Sequence, residues 1–158
     1  MKVGICWAGS PAHPDDRKRS TALREWRRLL QTPGVTWYSL QVGCTNEAEL
    51  FADVGINIVP SDAIKTFADL SYVLTQLDLV IAVDTAVVHL AGAMSVPCWV
   101  LIAVAPDWRW MLGREDSPWY PSLRLFRQKK ALDWTAPLED VAKALRAWVN
   151  ADSERKAA

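Results

Sequence analysis

The chain has 158 residues, 18 basic and 18 acidic side chains, no formal net charge, and 51% apolar residues. That length bounds it to one domain, the composition excludes wholesale disorder, and neutrality removes the global field that draws nucleic acid or an anionic membrane. Nine tryptophans against three tyrosines and three phenylalanines is an unusual ratio.

Val3 to Trp7 is apolar and β-rich until Ala-Gly-Ser-Pro breaks it, which predicts a first strand ending near Gly9. Residues 10–20 read as a polar loop. Leu23, Trp26, Leu29 and Leu30 recur at helical spacing, and Pro33-Gly34 ends that helix. Val35 to Leu40 reads as a second strand, Glu47 to Asp53 as a short helix, and Ile56 to Val59 as a third strand. Phe67, Leu70, Leu74 and Leu77 mark another helix. Leu79 to Val83 is apolar throughout, as a strand buried on both faces must be. Asp84 closes it and is expected to cap a helix from Thr85 to about Met94. Cys98 to Val104 reads as another buried strand, residues 105–121 as a long loop, Leu123 to Phe126 as a last strand, and Leu138 to Val149 as a last helix. The domain is expected over residues 1–150, with residues 151–158 fraying.

Thr85 to Pro106 carries no formal charge over 22 residues, enough to span a bilayer as a helix. Ser95-Val96-Pro97 interrupts it, so a short helix followed by a buried strand explains it better. The first ten residues are too short in their apolar run for a signal peptide. Cys6, Cys44 and Cys98 form no C-x-x-C pair, and His13 and His89 lack metal-site spacing, so no metal centre is expected. Cysteines within apolar runs behave as small hydrophobes, in keeping with a reducing, cytoplasmic setting.

Strand and helix alternate about six times. The expected architecture is α/β: a doubly wound, Rossmann-like parallel sheet of about six strands with helices on both faces. Ligands of such sheets bind beyond the carboxyl ends of the strands, where strand order reverses. Three loops therefore matter. After the first strand, Gly9 permits close backbone approach, and Arg17, Lys18, Arg19 and Ser20 precede a helix, a combination suited to phosphate. The same cations also fit a solvated face beside Arg24, Arg27 and Arg28. After the fourth strand, Asp84 begins the helix and Thr85 and His89 share one of its faces, one turn apart; plain capping and a buried histidine are the alternative readings. After the fifth, Trp108, Trp110 and Trp119 either pack as a satellite core or present a stacking surface. There is no G-x-G-x-x-G, no G-K-[ST] and no G-x-S-x-G, so no dinucleotide, P-loop or nucleophile-elbow chemistry is supported, and no catalytic residue is assigned.

Several stretches, in this order, carry a resemblance. They are Val3-Gly-Ile-Cys-Trp-Ala-Gly-Ser-Pro through Arg19-Ser20, Ser39-Leu-Gln41, and Asp78-Leu-Val-Ile-Ala-Val-Asp84-Thr85 with His89. Ala105-Pro-Asp-Trp-Arg-Trp-Met-Leu, Ser117-Pro-Trp-Tyr-Pro and Leu125-Phe-Arg-Gln complete the set. The chain resembles the C-terminal, nucleotide-sugar-binding half of GT-B glycosyltransferases of the heptosyltransferase-like family. Within that group it looks most like the transferase module of bacterial tetratricopeptide-repeat proteins. The resemblance implies a donor site for a nucleotide-diphosphate sugar, without metal or other cofactor, in which Arg19 faces the phosphates. Asp84, Thr85 and His89 would hold the diphosphate and sugar, and Gln41 would lie near the nucleoside. Gly9, Ser10, Arg17, Ser20, Asp107 and Arg109 complete the implied set. Ser10 stands where the family commonly has asparagine, and Pro14 interrupts the basic loop. The implied partner is the N-terminal half of the enzyme or a repeat region, without which the chain is expected to be inactive. A non-catalytic nucleotide- or protein-binding module, or half of a sugar-nucleotide epimerase, are the alternatives. The three loop tryptophans and Trp7 are expected as cleft walls.

Overall fold

The computed structural model describes residues 1–42, 55–58 and 63–157. Cys44, the helix expected at 47–53 and the end of the third strand at Val59 lie outside the described residues. The strands are β1 (Lys2–Cys6), β2 (Thr36–Ser39), β3 (Asn57–Ile58), β4 (Leu79–Val83), β5 (Cys98–Ile102) and β6 (Leu123–Arg127). The helices are α1 (Asp16–Arg19), α2 (Arg27–Leu30), α3 (Phe67–Leu74), α4 (Ala86–Ala93) and α5 (Thr135–Ala157), with 3-10 turns at Leu23–Trp26 and Trp108–Trp110. The strands form one sheet in the order β3-β2-β1-β4-β5-β6, and every pairing is parallel.

Period-two alternation splits the apolar strands between two cores. Leu79, Ile81 and Val83 of β4, with Trp99 and Leu101 of β5, face a layer built from Leu23, Trp26, Leu29, Leu138, Val141 and Leu145. Val80 and Ala82 of β4, with Cys98, Val100 and Ile102 of β5, face Leu70 and Leu74 of α3 and Val87, Val88 and Ala91 of α4. One face therefore carries α2 and α5, the other α3 and α4. This is the doubly wound Rossmann-like plan that strand–helix alternation predicts. Strand order reverses between β1 and β4, so the loops leaving those strands diverge there and open a crevice.

The stretch from Thr85 to Pro106 is α4 followed by β5, and among the described residues no helix is long and apolar enough to cross a membrane. Several bounds differ from expectation: β5 ends at Ile102, and the helix expected from Leu23 opens as a 3-10 turn. The loop at 10–20 contains the short helix α1. The last helix starts at Thr135 and continues to Ala157, through the segment expected to fray. Apart from Asp152 and Ser153 that segment holds alanine and long straight-chain residues, and it has no glycine or proline to stop a helix. Ser153 Oγ also donates to the Val149 carbonyl at 2.9 Å, inside the helix.

Candidate functional site at the β1–β4 crevice

The β1 exit is braced from two sides. Gln41, just past β2, accepts from the backbone N–H groups of Trp7 (3.1 Å) and Ala8 (2.9 Å) and donates to the Ala8 carbonyl (3.0 Å). Ser20 Oγ accepts from the Gly9 N–H at 2.8 Å and donates to Asp16 Oδ1 at 2.6 Å. Thr21 returns the chain to β1, its N–H and hydroxyl both donating to the Trp7 carbonyl. This folding-back presses α1 against Gly9, where a Cβ would stand 2.8 Å from both Arg19 Nη2 and Asp16 Oδ1. Only hydrogen fits there without moving those side chains. Arg19 Nε lies 3.7 Å from Asp16 Oδ1, is shielded from solvent, and has no hydrogen-bond partner. Such a donor gains from any acceptor that reaches it.

At the β4 exit the N-cap of α4 is Thr85, where the sequence suggested Asp84, and its side chain makes no capping bond. The first-turn amides of α4 thus keep their donors without a side-chain cap and carry the positive end of the helix dipole. Thr85 Oγ1 is 4.0 Å from Cys6 Sγ, across the switch between β1 and β4. Asp84 instead faces His89, with Oδ1 3.7 Å from Nε2. The other ring nitrogen, Nδ1, is 3.2 Å from the Tyr120 hydroxyl. The imidazole stacks on Trp110 with centroids 5.3 Å apart and planes at 22°.

The loop after β5 forms the third wall. Asp107 Oδ1 accepts from the Arg109 N–H (3.0 Å) and from Arg109 Nη1 (2.8 Å), capping the turn at Trp108–Trp110. The Arg109 N–H is the largest cause holding the Asp107 carboxyl below its ordinary 3.8, with the Arg109 side chain and His89 acting in the same direction. Arg127, closing β6, donates to the carbonyls of Arg114 (2.7 Å), Met111 (3.0 Å) and Trp110, and so locks this loop to the sheet. The tryptophans divide: Trp110 is fully buried, whereas Trp108 and Trp119 remain 66% and 53% exposed and meet edge-to-face. Trp7 is also buried core. The expectation that Trp7 and all three loop tryptophans wall a cleft therefore fails for Trp7 and Trp110, because an indole gains most where its whole surface leaves water.

A cleft of about 160 Å³ lies where these loops meet, lined by His13, Asp15, Lys18, Arg19, Asp84 and Asp107 and by the chain at Ile102, Ala103, Ala105 and Pro106. Of the residues singled out from the sequence, Arg19, Asp84 and Asp107 line it directly. Gly9, Ser20 and Gln41 do not line it; Gln41 and Ser20 brace the Trp7–Gly9 backbone through the bonds above, and Arg109 is tied to Asp107. Thr85 and His89 stand beside Asp84. Ser10 and Arg17 are exposed and are not on the cleft wall. Lys18, in sequence one member of a basic run, lines the cleft and pairs with Asp15 at 2.6 Å. Tyr120 carried only a motif resemblance, and only tertiary contact brings it to His89. Two larger grooves, of about 620 and 870 Å³, flank α5 away from these strand ends. Among the described residues no three His, Cys, Asp or Glu side chains converge on a metal position. Cys98 is buried, and burial first, then nearby Cys6, pushes its thiol up, which removes it as a nucleophile.

These elements define the class of fold: a Rossmann-like parallel α/β domain with its cleft at the strand-order switch. Over 96% of the chain the structure resembles E. coli heptosyltransferase WaaC with ADP-2-deoxy-2-fluoro heptose, at TM-score 0.59 and 14% identity, covering 43% of that chain. Over 94% it resembles WaaC with ADP, at TM-score 0.61 and 16% identity, again covering 43%. Among curated proteins it is 35% identical over 150 residues to Protein FlbA of Caulobacter vibrioides, a match spanning 92% of this chain. The chain thus spans about a quarter of the length of that relative, 25%. No protein-family profile matches the chain.

Proposed function

We propose that this chain is the donor-binding unit of a GT-B glycosyltransferase, equivalent to the C-terminal half of a heptosyltransferase-like enzyme, and takes a nucleotide-diphosphate sugar without metal. The observation that carries the reading is the meeting of three elements at the β1–β4 switch: the underused Arg19 guanidinium, the side-chain-uncapped start of α4, and the loop held by Asp107 and Arg127. The diphosphate lies across the α4 amides and Arg19, which stabilise the negative charge that develops as the sugar departs. Asp84 and His89 border the sugar side of that position. The solved WaaC complexes, whose fold this chain shares, contain ADP and an ADP-heptose analogue. Transfer needs a second sheet facing this cleft to bind the acceptor and supply the general base. The module therefore works within a longer architecture in the cytoplasm, such as the tetratricopeptide-repeat proteins whose motifs it resembles.

The experiment is calorimetric titration with ADP, UDP and GDP. At least one binds the purified chain, and Arg19→Ala weakens it about tenfold or more, as loss of a charged hydrogen-bond donor does. Indifference to all three at millimolar ligand contradicts the reading. A second reading, docking of a protein partner, is favoured by one observation: the exposed Trp108–Trp119 pair. It requires partner binding that survives Arg19→Ala and fails on replacing both tryptophans.

A further inference from the structure

We propose that Tyr120 is the positioning residue of His89, and that the Ser117-Pro-Trp-Tyr-Pro segment exists to present its hydroxyl. The inference rests on the donor-site reading for what His89 does, but its geometry stands independently. His89 is held on three sides. Trp110 covers one ring face, Tyr120 meets the ring at 63° with centroids 5.8 Å apart, and Asp84 stands at Nε2. A carboxylate beside Nε2 favours a proton on that nitrogen. The neutral ring then has only a lone pair at Nδ1, and the Tyr120 hydroxyl, 3.2 Å away, donates to it. The charged groups acting on the imidazole are Asp84 at Nε2 and, at longer range, Asp107. Of the two, only Asp84 stands at a particular ring nitrogen, and it favours the proton on Nε2. His89 thus presents an N–H beside Asp84, which lines the cleft, and a ring flip replaces an N···H–O bond with a C–H against a hydroxyl.

Tyr120 is itself fixed. A Cβ on Gly92 of α4 would come 2.5 Å from Tyr120 Cγ and 2.8 Å from its Cβ, so the tyrosine ring lies directly on helix backbone. The hydroxyl of buried Ser117 accepts from the N–H groups of Trp119 (3.2 Å) and Tyr120 (3.3 Å), and the Tyr120 carbonyl accepts from Leu123 N–H at 3.0 Å. Ser117 therefore sets the turn, Gly92 makes room for the ring, and the hydroxyl reaches His89.

The test uses Tyr120→Phe, which keeps the ring against Gly92 and removes only the oxygen. Nitrogen-15 spectra of the His89 imidazole, recorded where the ring is neutral, show in the parent chain a proton on Nε2 and a hydrogen-bonded Nδ1. In the variant the Nδ1 resonance moves to the position of an unbonded nitrogen. Affinity for whichever of ADP, UDP or GDP the parent binds falls about three- to tenfold, the effect of one lost neutral hydrogen bond. An unchanged Nδ1 resonance overturns the proposal, as does a proton on Nδ1 in the parent or an unchanged nucleotide affinity beside a shifted resonance. If the parent binds none of the three nucleotides, the donor-site reading fails while the imidazole spectrum still decides the positioning role.

Discussion

Gly9 shows how one missing side chain sets up the cleft. Because a Cβ there would stand 2.8 Å from Arg19 Nη2 and Asp16 Oδ1, Gly9→Ala displaces the ends of two flexible side chains and leaves the backbone where it is. The variant is expected to lose about 1 kcal/mol of stability, the low end for overpacking, yet to bind nucleoside diphosphate several-fold more weakly. Thermal unfolding and calorimetry on the same sample separate the two effects; a large stability loss with unchanged binding contradicts the assignment. The sequence marked Gly9 and the basic run holding Arg19 as places to look, and the contact between them is in the structure; that Arg19 faces phosphate is what the family resemblance implies. The bracing roles of Gln41 and Ser20 were not legible in the sequence. Which carbonyl or N–H a side-chain amide reaches depends on the register of β1 against β2, with Lys2 opposite Thr36, and no local pattern encodes it.

Among the elements, caps and latches do most of the positioning. Thr66 Oγ1 accepts from the Asp69 N–H, and Asp69 accepts in return from the Thr66 N–H, closing a capping box at the start of α3. Thr66→Ala is expected to lower stability by about 1 kcal/mol in chemical denaturation. The Asp69 carboxyl is held below its ordinary 3.8 chiefly by the Thr66 hydroxyl and then its N–H, Asp107 by the Arg109 N–H, and Asp133 by the Thr135 N–H. Each binds its proton less readily folded than unfolded, so its stabilisation is complete above about 3.8 and lost as pH falls through the lower folded value. Melting temperature should therefore drop on acidification from neutrality toward pH ~3, and less steeply in Asp69→Asn; equal slopes contradict the cap. Arg127 latches the loop after β5 to β6 through three carbonyls. Arg127→Ala is expected to destabilise the chain by about 1.5–3 kcal/mol and to release Trp110 from beneath His89, read as a change in tryptophan fluorescence. The strands were legible because β4 and β5 are apolar on both faces. The fate of each loop tryptophan was not, since Trp110 is buried by long-range packing in one core with Val87, Val88 and Ile102 that no local pattern encodes.

For the molecule as a whole, alternation of strand and helix was enough to anticipate six parallel strands and helices on both faces. The reversal at β1 and β4 then locates the cleft. The chain matches 43% of WaaC and 25% of FlbA, and a cleft with one wall of sheet suits binding better than transfer. Assayed alone with donor and acceptor sugars, it is expected to transfer nothing; turnover by the isolated chain contradicts the need for a second sheet. The central claim, that a nucleoside diphosphate docks at the β1–β4 switch, is tested most directly by mapping backbone amide resonances during titration with ADP, UDP or GDP. The account predicts the largest shifts at Gly9, Arg19, Ala86, Val87 and Asp107. Shifts concentrated along α5 and its flanking grooves, or none at saturating ligand, contradict it.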